Sequence, residues 1–276
     1  MNFIQISKKN HYVGSRIEVF TKDLIENFEK YINSSAIGVS DKEPMNEAFT
    51  PATILIYPNS EAKDGLKLLI AHKENKNIFG SAFGFIEDIG RIYEGKMEKL
   101  YVWEGGVEAQ IEMSLEIAEI VFYDLSFITM RGLYMPNINI KARIYAVAYN
   151  ASSAQDQVIE IEVNEKNKLA FSDKQIGEKV QLHTGKMRAF VGGEGQMDYD
   201  EYELRGKISA IKNIYLQSFQ KEAFICTIDA LHDSDEEFYE FDVLITKEVW
   251  QEENPPQIDS FISAYVYFCG EVLFVS

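Results

Sequence analysis

The sequence predicts an α+β protein that is mainly β, with an N-terminal α+β domain followed by two antiparallel β units. Three observations lead to this fold class. Apolar and polar residues alternate with period two in several short segments, which is typical of half-buried strands. One stretch in the first third carries an apolar stripe at helical spacing. The order of features between Val102 and Tyr149 returns between Tyr202 and Val272, which indicates a repeated unit.

The two copies of this repeat share the order of their features. Each begins with an alternating strand, residues 107–113 in the first copy and 224–230 in the second. A Phe-Tyr-acid step, a connection that ends in proline and a strand of small and aromatic residues follow in both. The Phe-Tyr-acid step is Phe122-Tyr123-Asp124 in the first copy and Phe238-Tyr239-Glu240 in the second. The connection ends at Pro136 in the first copy and at Pro255-Pro256 in the second, and the final strand begins at Lys141 and at Ser263, respectively. Chance similarity between two amphipathic β segments is the alternative explanation.

Length and composition place the chain among folded proteins. With 276 residues it can form two or three domains, and 46% apolar and 13% aromatic residues suffice for real cores. Neither a signal peptide nor a membrane span is predicted, because no apolar run is long enough. Cys226 and Cys269 both fall in predicted strands, which favours buried free thiols in a reducing cytoplasm, with a disulfide as the alternative. We therefore expect a cytoplasmic protein.

Acidic residues are concentrated at the C-terminal end of the chain. Residues 1–96 carry 12 Lys and Arg against 13 Asp and Glu, and residues 97–196 carry 10 against 14. Residues 197–276 carry 5 against 17, so this segment holds −12 of the total net charge of −17. The charge count predicts a mainly negative surface on the C-terminal unit and a partner that is basic or brings cations.

The N-terminal domain is expected to span residues 1–96. Apolar runs at 3–6 and 17–20 predict two short strands, and Thr21 can cap a helix that follows. The apolar stripe of that helix consists of Leu24, Ile25, Phe28, Tyr31 and Ile32. Two further strands are predicted at 53–57 and 66–72. The glycine-containing stretch 78–90 predicts a tight turn among aromatic residues, since it lacks the glycine order and the lysine of a phosphate-binding loop.

Three more segments complete the predicted domain organisation. The first β unit covers residues 97–164 and is closed by an alternating strand at 157–163. Residues 165–198 form a connecting segment that ends in a glycine-rich linker. The second β unit covers residues 199–276. The period-two pattern predicts that Ile208, Phe224, Cys226 and Ile228 are buried there.

The second β unit resembles an OB-fold, a small five-stranded barrel with a helix between its third and fourth strands. The residues that carry the resemblance are 202–211 as a first strand bent at Gly206, 223–231 and 238–245 as the next two, 247–253 as the helix and 260–269 as the fourth strand. The resemblance extends partly to the first β unit and not to the N-terminal domain. The chain as a whole is similar to bacterial proteins with tandem OB-fold-like β-barrels and no assigned function, so the resemblance implies a fold and no activity.

No motif predicts catalysis, a cofactor or a resident metal. No two of the four histidines have metal-ligand spacing with each other or with a cysteine. There is no G-x-S-x-G motif, and nothing selects one pair of carboxylates as acid and base. The acidic cluster between two predicted strands suggests either a calcium site or a solvated hairpin tip, and the missing twelve-residue calcium loop favours the tip.

The sequence therefore predicts a non-catalytic binding module whose acidic C-terminal unit recognises a basic protein partner. The residues predicted to contact it are Asp233, Asp235, Glu236, Glu237 and Tyr239. Single-stranded nucleic-acid binding through stacked aromatic residues is the first alternative, but 5 basic against 17 acidic residues do not favour binding of phosphates. An enzyme with a site at the junction with the N-terminal domain is the second.

Overall fold

The computed structural model describes residues 4–7, 13–24, 26–44, 46–74, 76–116, 118–168, 171–192, 198–232 and 238–275. The protein is mainly β, with 57% of residues in strands and 8% in helices, as the sequence predicts. The strands form a four-stranded antiparallel sheet, a large mixed sheet and a small two-stranded sheet.

The elements begin with a short strand and two short helices before the four-stranded sheet. They are β1 (Ile4–Ser7), α1 (Val13–Glu18), α2 (Phe28–Asn33), β2 (Ala36–Asp41), β3 (Ala52–Tyr57), β4 (Asp64–Lys73) and β5 (Lys76–Ile86). The following elements are β6 (Arg91–Trp103), β7 (Ala109–Ser114), β8 (Glu119–Asp124), α3 (Phe127–Met130), β9 (Asn139–Ser153), β10 (Val158–Glu162), β11 (Lys179–His183), β12 (Ala189–Gly192), β13 (Glu201–Leu216), β14 (Lys221–His232), β15 (Phe238–Thr246) and β16 (Phe261–Val275).

The four-stranded sheet has the order β2-β3-β4-β5. The strands predicted at 53–57 and 66–72 are its two central strands, β3 and β4. The turn predicted at 78–90 is confined to residues 87–90, because the rest of that stretch belongs to the long strand β5. Gly84 serves close packing there, since a Cβ at this position would lie 2.3 Å from the ring of Phe20.

Two predictions for the first helical region are also wrong. Residues 17–20 end α1 and enter a turn, and only the end of the predicted 21–32 helix is helical, as α2. The hydroxyl of Thr21 contacts Asp23 and Tyr31 and caps no helix. Such local side-chain contacts compete with helix formation, and the apolar run at 17–20 was too short to separate strand from helix. Ile25 lies outside the described residues.

The large sheet has nine strands, and β1 extends it as a short tenth strand parallel to β6. Its order is β1-β6-β7-β8-β16-β9-β15-β14-β13-β12, with additional pairings of β6 with β9 and of β13 with β16. These pairings trace two near-closed rings. The first contains β6, β7, β8, β16 and β9, and the second contains β13, β14, β15, β9 and β16.

The two rings share the long antiparallel pair β9 and β16, which runs from Ile262 opposite Ser153 to Val275 opposite Ile140. The predicted β units are therefore joined within one sheet and are not separate sheets. The expected boundary after residue 96 falls inside β6, whose first half pairs with β9 and whose second half pairs with β7. The division of the chain into four domains stays a prediction.

The core contains the residues that the alternation pattern selects. Ile208, Cys226 and Ile228 are fully buried and Phe224 is 6% exposed, so the predicted register of the second unit is confirmed. A second apolar cluster joins α1, α2 and the four-stranded sheet to the other side of the large sheet, and its members include Phe20, Leu66 and Val147. Apolar clusters therefore cover both faces of the large sheet at its centre.

Two further predictions about the β units are wrong. The strand predicted at 157–163 is β10, which among the described strands pairs with β11 alone and does not close the first unit. Residues 247–253 form no helix. After one turn at Thr246, the backbone of Gln251 donates to the carbonyl of Ala151, 3.0 Å away, and this long-range contact draws the chain out of the turn.

Candidate functional site

Cations from earlier parts of the chain neutralise many acids of the C-terminal segment. Arg91 binds Glu240 at 2.8 Å, Arg188 binds Asp229 at 2.7 Å, and Lys67 contacts Glu271 at 3.4 Å. The net charge of −12 in the sequence therefore overstates the charge that this segment presents to a partner. A functional acidic surface must consist of the carboxylates that the fold leaves without such cations.

A groove of about 700 Å³ on the C-terminal segment contains such carboxylates. Its walls are the ends of β13 and β14 nearest their connecting turn and the chain that follows β15. The residues that line it are Asn213, Ile214, Tyr215, Glu222, Ala223, Phe224, Lys247, Trp250, Glu252, Glu253 and Pro255. We call it the Trp250 groove.

Three aromatic side chains form the apolar part of the Trp250 groove. Phe224 and Trp250 are buried to more than nine-tenths, whereas the ring of Tyr215 is 48% exposed. Trp250 is fixed at both ends, because its backbone donates to the carbonyl of Thr246 and its indole Nε1 donates to the carbonyl of Asn254 at 2.7 Å. The fixed indole gives the groove a rigid aromatic wall.

Three carboxylates and one ammonium group form the polar part of the groove. Glu222 pairs with Lys247. Glu252 accepts hydrogen bonds from the backbone nitrogen and the hydroxyl of Ser153, each at 2.7 Å, so neutral groups hold it in place. Glu253 forms no ion pair among the described residues. The groove therefore carries more negative than positive charge.

The chemistry available in the Trp250 groove is that of binding a cation. A Lys or Arg side chain is attracted both by carboxylates and by the face of an aromatic ring within about 6 Å. The residues that line the groove include no histidine, cysteine, serine or threonine. They therefore offer no serine, threonine or cysteine nucleophile beside a histidine base.

Of the residues predicted to contact a partner, the structure describes Tyr239, which lies away from this groove. Asp233, Asp235, Glu236 and Glu237 lie outside the described residues. The ring of Tyr239 is partly buried and stacks on Tyr93, with 6.3 Å between ring centroids and 9° between the ring planes. Tyr239 pairs with Leu231 near one end of β14, while the groove lies at the other end. The structure does not bring Tyr239 to the groove.

The sequence predicts that Phe224 is buried and assigns no binding role to Tyr215 or Trp250. Phe224 and Trp250 do pack, yet they also line the groove. The adjacent acids Glu252 and Glu253 were the available signal, because they lie two and three residues after Trp250 and shortly before two prolines.

Within the described parts of the chain, no cluster of three or more His, Cys, Asp or Glu residues could hold a metal ion. None of the described helices is long and apolar enough to cross a membrane. Comparison with protein-family models, curated proteins and solved structures gives no match. An assignment of function therefore rests on the geometry and chemistry of the chain itself.

Proposed function

We propose that the protein is a non-catalytic binding module that recognises a basic segment of a partner protein through the Trp250 groove. The observation that carries this proposal is the meeting of three carboxylates and three aromatic rings in one groove. The carboxylates attract an ammonium or guanidinium group, and the ring faces bind the same group. Such a groove selects lysine or arginine side chains over acidic ones.

The expected affinity is modest and sensitive to salt. A cation on an aromatic face gains about 0.5–2 kcal/mol, depending on how far it is desolvated. Exposed carboxylates such as Glu253 act mainly on the rate of association, because screening over roughly 8–10 Å weakens their attraction at physiological salt. Partner binding should therefore slow as ionic strength rises.

We also propose that the two rings of strands are two OB-like units that exchange strands. Each ring contains five strands, the number in an OB-fold. The helix α3 follows the third strand of the first unit, β8, and a single turn follows the third strand of the second unit, β15. In this interpretation β9 and β16 each complete the ring of the other unit, and the Trp250 groove belongs to the second unit.

The test is isothermal titration calorimetry of the full chain with three synthetic decapeptides of one length. One peptide is rich in Arg and Lys, one is rich in Glu, and one is uncharged. We expect binding of the basic peptide alone at low salt. Combining Glu252→Gln, Glu253→Gln and Tyr215→Ala should weaken it by about tenfold or more, because two charges and one exposed ring face are removed.

The matched control replaces two exposed acids far from the groove, Glu160→Gln with Glu178→Gln, and adds no change at an aromatic residue. Unchanged binding by this control supports recognition at the groove. Equal loss in both variants would mean that only the net charge matters and would contradict the proposal, as would no binding of the basic peptide at low salt. A single-stranded oligonucleotide in the same titration tests the alternative, and tight binding of it would replace the protein-partner proposal.

A further inference from the structure

One half of the long strand β13 leaves a backbone edge of the large sheet uncovered. Residues 201–207 pair with β16. The same side is closed at Ile208, which donates to the carbonyl of Ser260 and accepts from the backbone nitrogen of Asp259, both at 2.9 Å. Beyond that point, residues 210–215 pair with β14 alone among the described strands. We call the side of residues 210–215 that faces away from β14 the free edge of β13.

The free edge is open to solvent and has unused hydrogen-bonding groups. In an antiparallel ladder, every second residue directs its backbone N–H and C=O away from the partner strand. None of these outward groups of residues 210–215 forms a hydrogen bond with a described residue. Ala210, Lys212, Asn213 and Tyr215 are exposed, so a second chain can reach the edge.

The turn at the end of the free edge holds it in place. Asp64 of β4 accepts hydrogen bonds from the backbone nitrogens of Gln217 and Ser218, at 3.0 and 2.8 Å. The hydroxyl of Ser218 donates to the carbonyl of Asp64 at 2.6 Å. Leu216, just before the turn, is buried in the same apolar cluster as Phe20. A partner strand therefore meets an ordered edge, which reduces the conformational entropy lost on binding.

The free edge runs along the Trp250 groove. Asn213 and Tyr215 line the groove, and in the ladder they lie opposite Phe224 and Glu222, which line it too. Side chains directly opposite each other project from the same face of a sheet. Successive side chains of an added strand would alternate between the two faces, so every second one would enter the groove.

The charges beside the free edge favour one kind of strand. The groove carries Glu222, Glu252 and Glu253 against Lys247 alone. Lys212 belongs to the opposite face, because it is adjacent to Asn213 in β13. A strand with basic residues toward the groove and uncharged residues between them matches both faces. A second copy of the chain would bring its own carboxylates to this edge, which repulsion between like charges disfavours.

We propose that the basic segment of the partner binds as an extended strand added to the free edge of β13, with a lysine or arginine at every second position facing the Trp250 groove. This inference rests on the proposed function, since it states how the same groove receives its partner. Main-chain hydrogen bonds supply affinity in such strand addition, and the groove selects the side chains. Residues 210–215 span roughly 20 Å, so the added strand has about the same number of residues.

The experiment is calorimetric titration of the full chain at low salt with a decapeptide in which Lys or Arg alternates with Thr. Two further forms of this peptide carry N-methyl groups in their central part, one at every second residue and the other at the residues between. An N-methyl group removes a backbone donor and keeps a neighbouring strand away. Only one set of amides can face β13, so one form should bind about tenfold or more weakly and the other should stay within about threefold of the unmodified peptide.

The results separate this inference from the proposed function. Equal affinity of the two methylated forms, whether retained or lost, would overturn strand addition and leave recognition by the groove standing. No binding of the unmodified basic peptide would overturn the proposed function and strand addition together.

Amide hydrogen exchange of the full chain gives a second measurement on the protein itself. When the unmodified peptide binds, alternate amides of residues 210–215 should exchange slower by about tenfold or more, because they gain acceptors. The strand β2, at one edge of the four-stranded sheet, is the matched control and its amides should exchange at an unchanged rate. Unchanged exchange along residues 210–215 in the bound protein would overturn the inference.

Discussion

The guanidinium of Arg16 binds both carboxylate oxygens of Asp200, which lies 184 residues further along the chain, at 2.6 and 2.5 Å. Both side chains are buried, and Asp198 adds a third contact at 3.1 Å. Burial is the largest single effect and would lower the pKa of Arg16, but Asp200, Asp198 and Glu201 together outweigh it and raise the pKa. This buried ion pair ties α1 to the start of β13.

Replacing Arg16 by Met should lower the free energy of unfolding by about 3–5 kcal/mol, because buried carboxylates would lose their cation. Urea denaturation measures this change. Arg205→Met is the matched control, since Arg205 pairs with Glu203 at 3.1 Å with both side chains about one-third exposed. The control should change stability by only about 0–1 kcal/mol. Equal effects of the two substitutions would contradict a stabilising role for the buried pair.

The strand pattern predicted one face of the sheet well and could not predict the other. Val107, Ala109, Ile111 and Met113 are buried as the alternation at 107–113 indicates. Glu108, Gln110 and Glu112 on the opposite face are buried too. Lys99 and Tyr101 both donate hydrogen bonds to the carboxylate of Glu112 at 2.5 Å. Period two separates the faces of a strand but does not reveal what covers each face.

The candidate site was less predictable because it depends on contacts between distant parts of the chain. Ser153, which is 99 residues away in sequence, holds Glu252 through two hydrogen bonds. Trp250 lies at the end of a turn, where it forms a β-bridge with Ala151 of β9. The sequence shows Trp250 and the acids that follow it but not the strand that fixes their positions.

Ile228 offers a direct test of the core. Its side chain is fully buried, so Ile228→Ala should lower the free energy of unfolding by about 2–5 kcal/mol through lost burial and a cavity. Thermal and urea denaturation measure the change. Ile258→Ala makes the same chemical change at a side chain that is 57% exposed, and it should alter stability by less than about 0.5 kcal/mol. A small effect at Ile228 would contradict the register of β14.

The two cysteines should be inert to thiol reagents in the folded protein. Cys226 and Cys269 are free and buried, at 0% and 2% exposure. Burial raises the pKa of Cys226 to about 12 and raises that of Cys269 as well. The thiolate is the reactive form, so a chromogenic disulfide reagent at about pH 8 should detect neither thiol until denaturant is added, and both afterwards. Rapid reaction of either thiol in the native state would contradict this burial.

Asp124 should give the protein a pH-dependent stability. The carboxyl group is buried at the end of β8, where Ser126 and Tyr134 donate hydrogen bonds to it. Burial raises its pKa from 3.8 to about 6, and the hydrogen bonds and Lys67 oppose that rise only in part. The folded state therefore binds a proton more tightly than the unfolded state does. The contribution of Asp124 to stability is fully present below the pKa of the carboxyl group in the unfolded state, and it is lost as the pH rises from about 4 to about 6.

Asp124→Asn tests this prediction, because the amide remains neutral at every pH while keeping nearly the same shape. Each pKa unit corresponds to about 1.4 kcal/mol, and the unfolded carboxyl is already partly ionised at about pH 4. Raising the pH from about 4 to about 7 should therefore make the variant more stable relative to the wild type by about 2 kcal/mol. Urea denaturation at several pH values measures the difference. Asp173→Asn removes an exposed carboxylate, 76% accessible, and corrects for the loss of charge alone. The measured quantity is the free energy of unfolding of Asp124→Asn minus that of the wild type. If it stays constant or falls as the pH rises, the raised pKa of Asp124 in the folded state is contradicted.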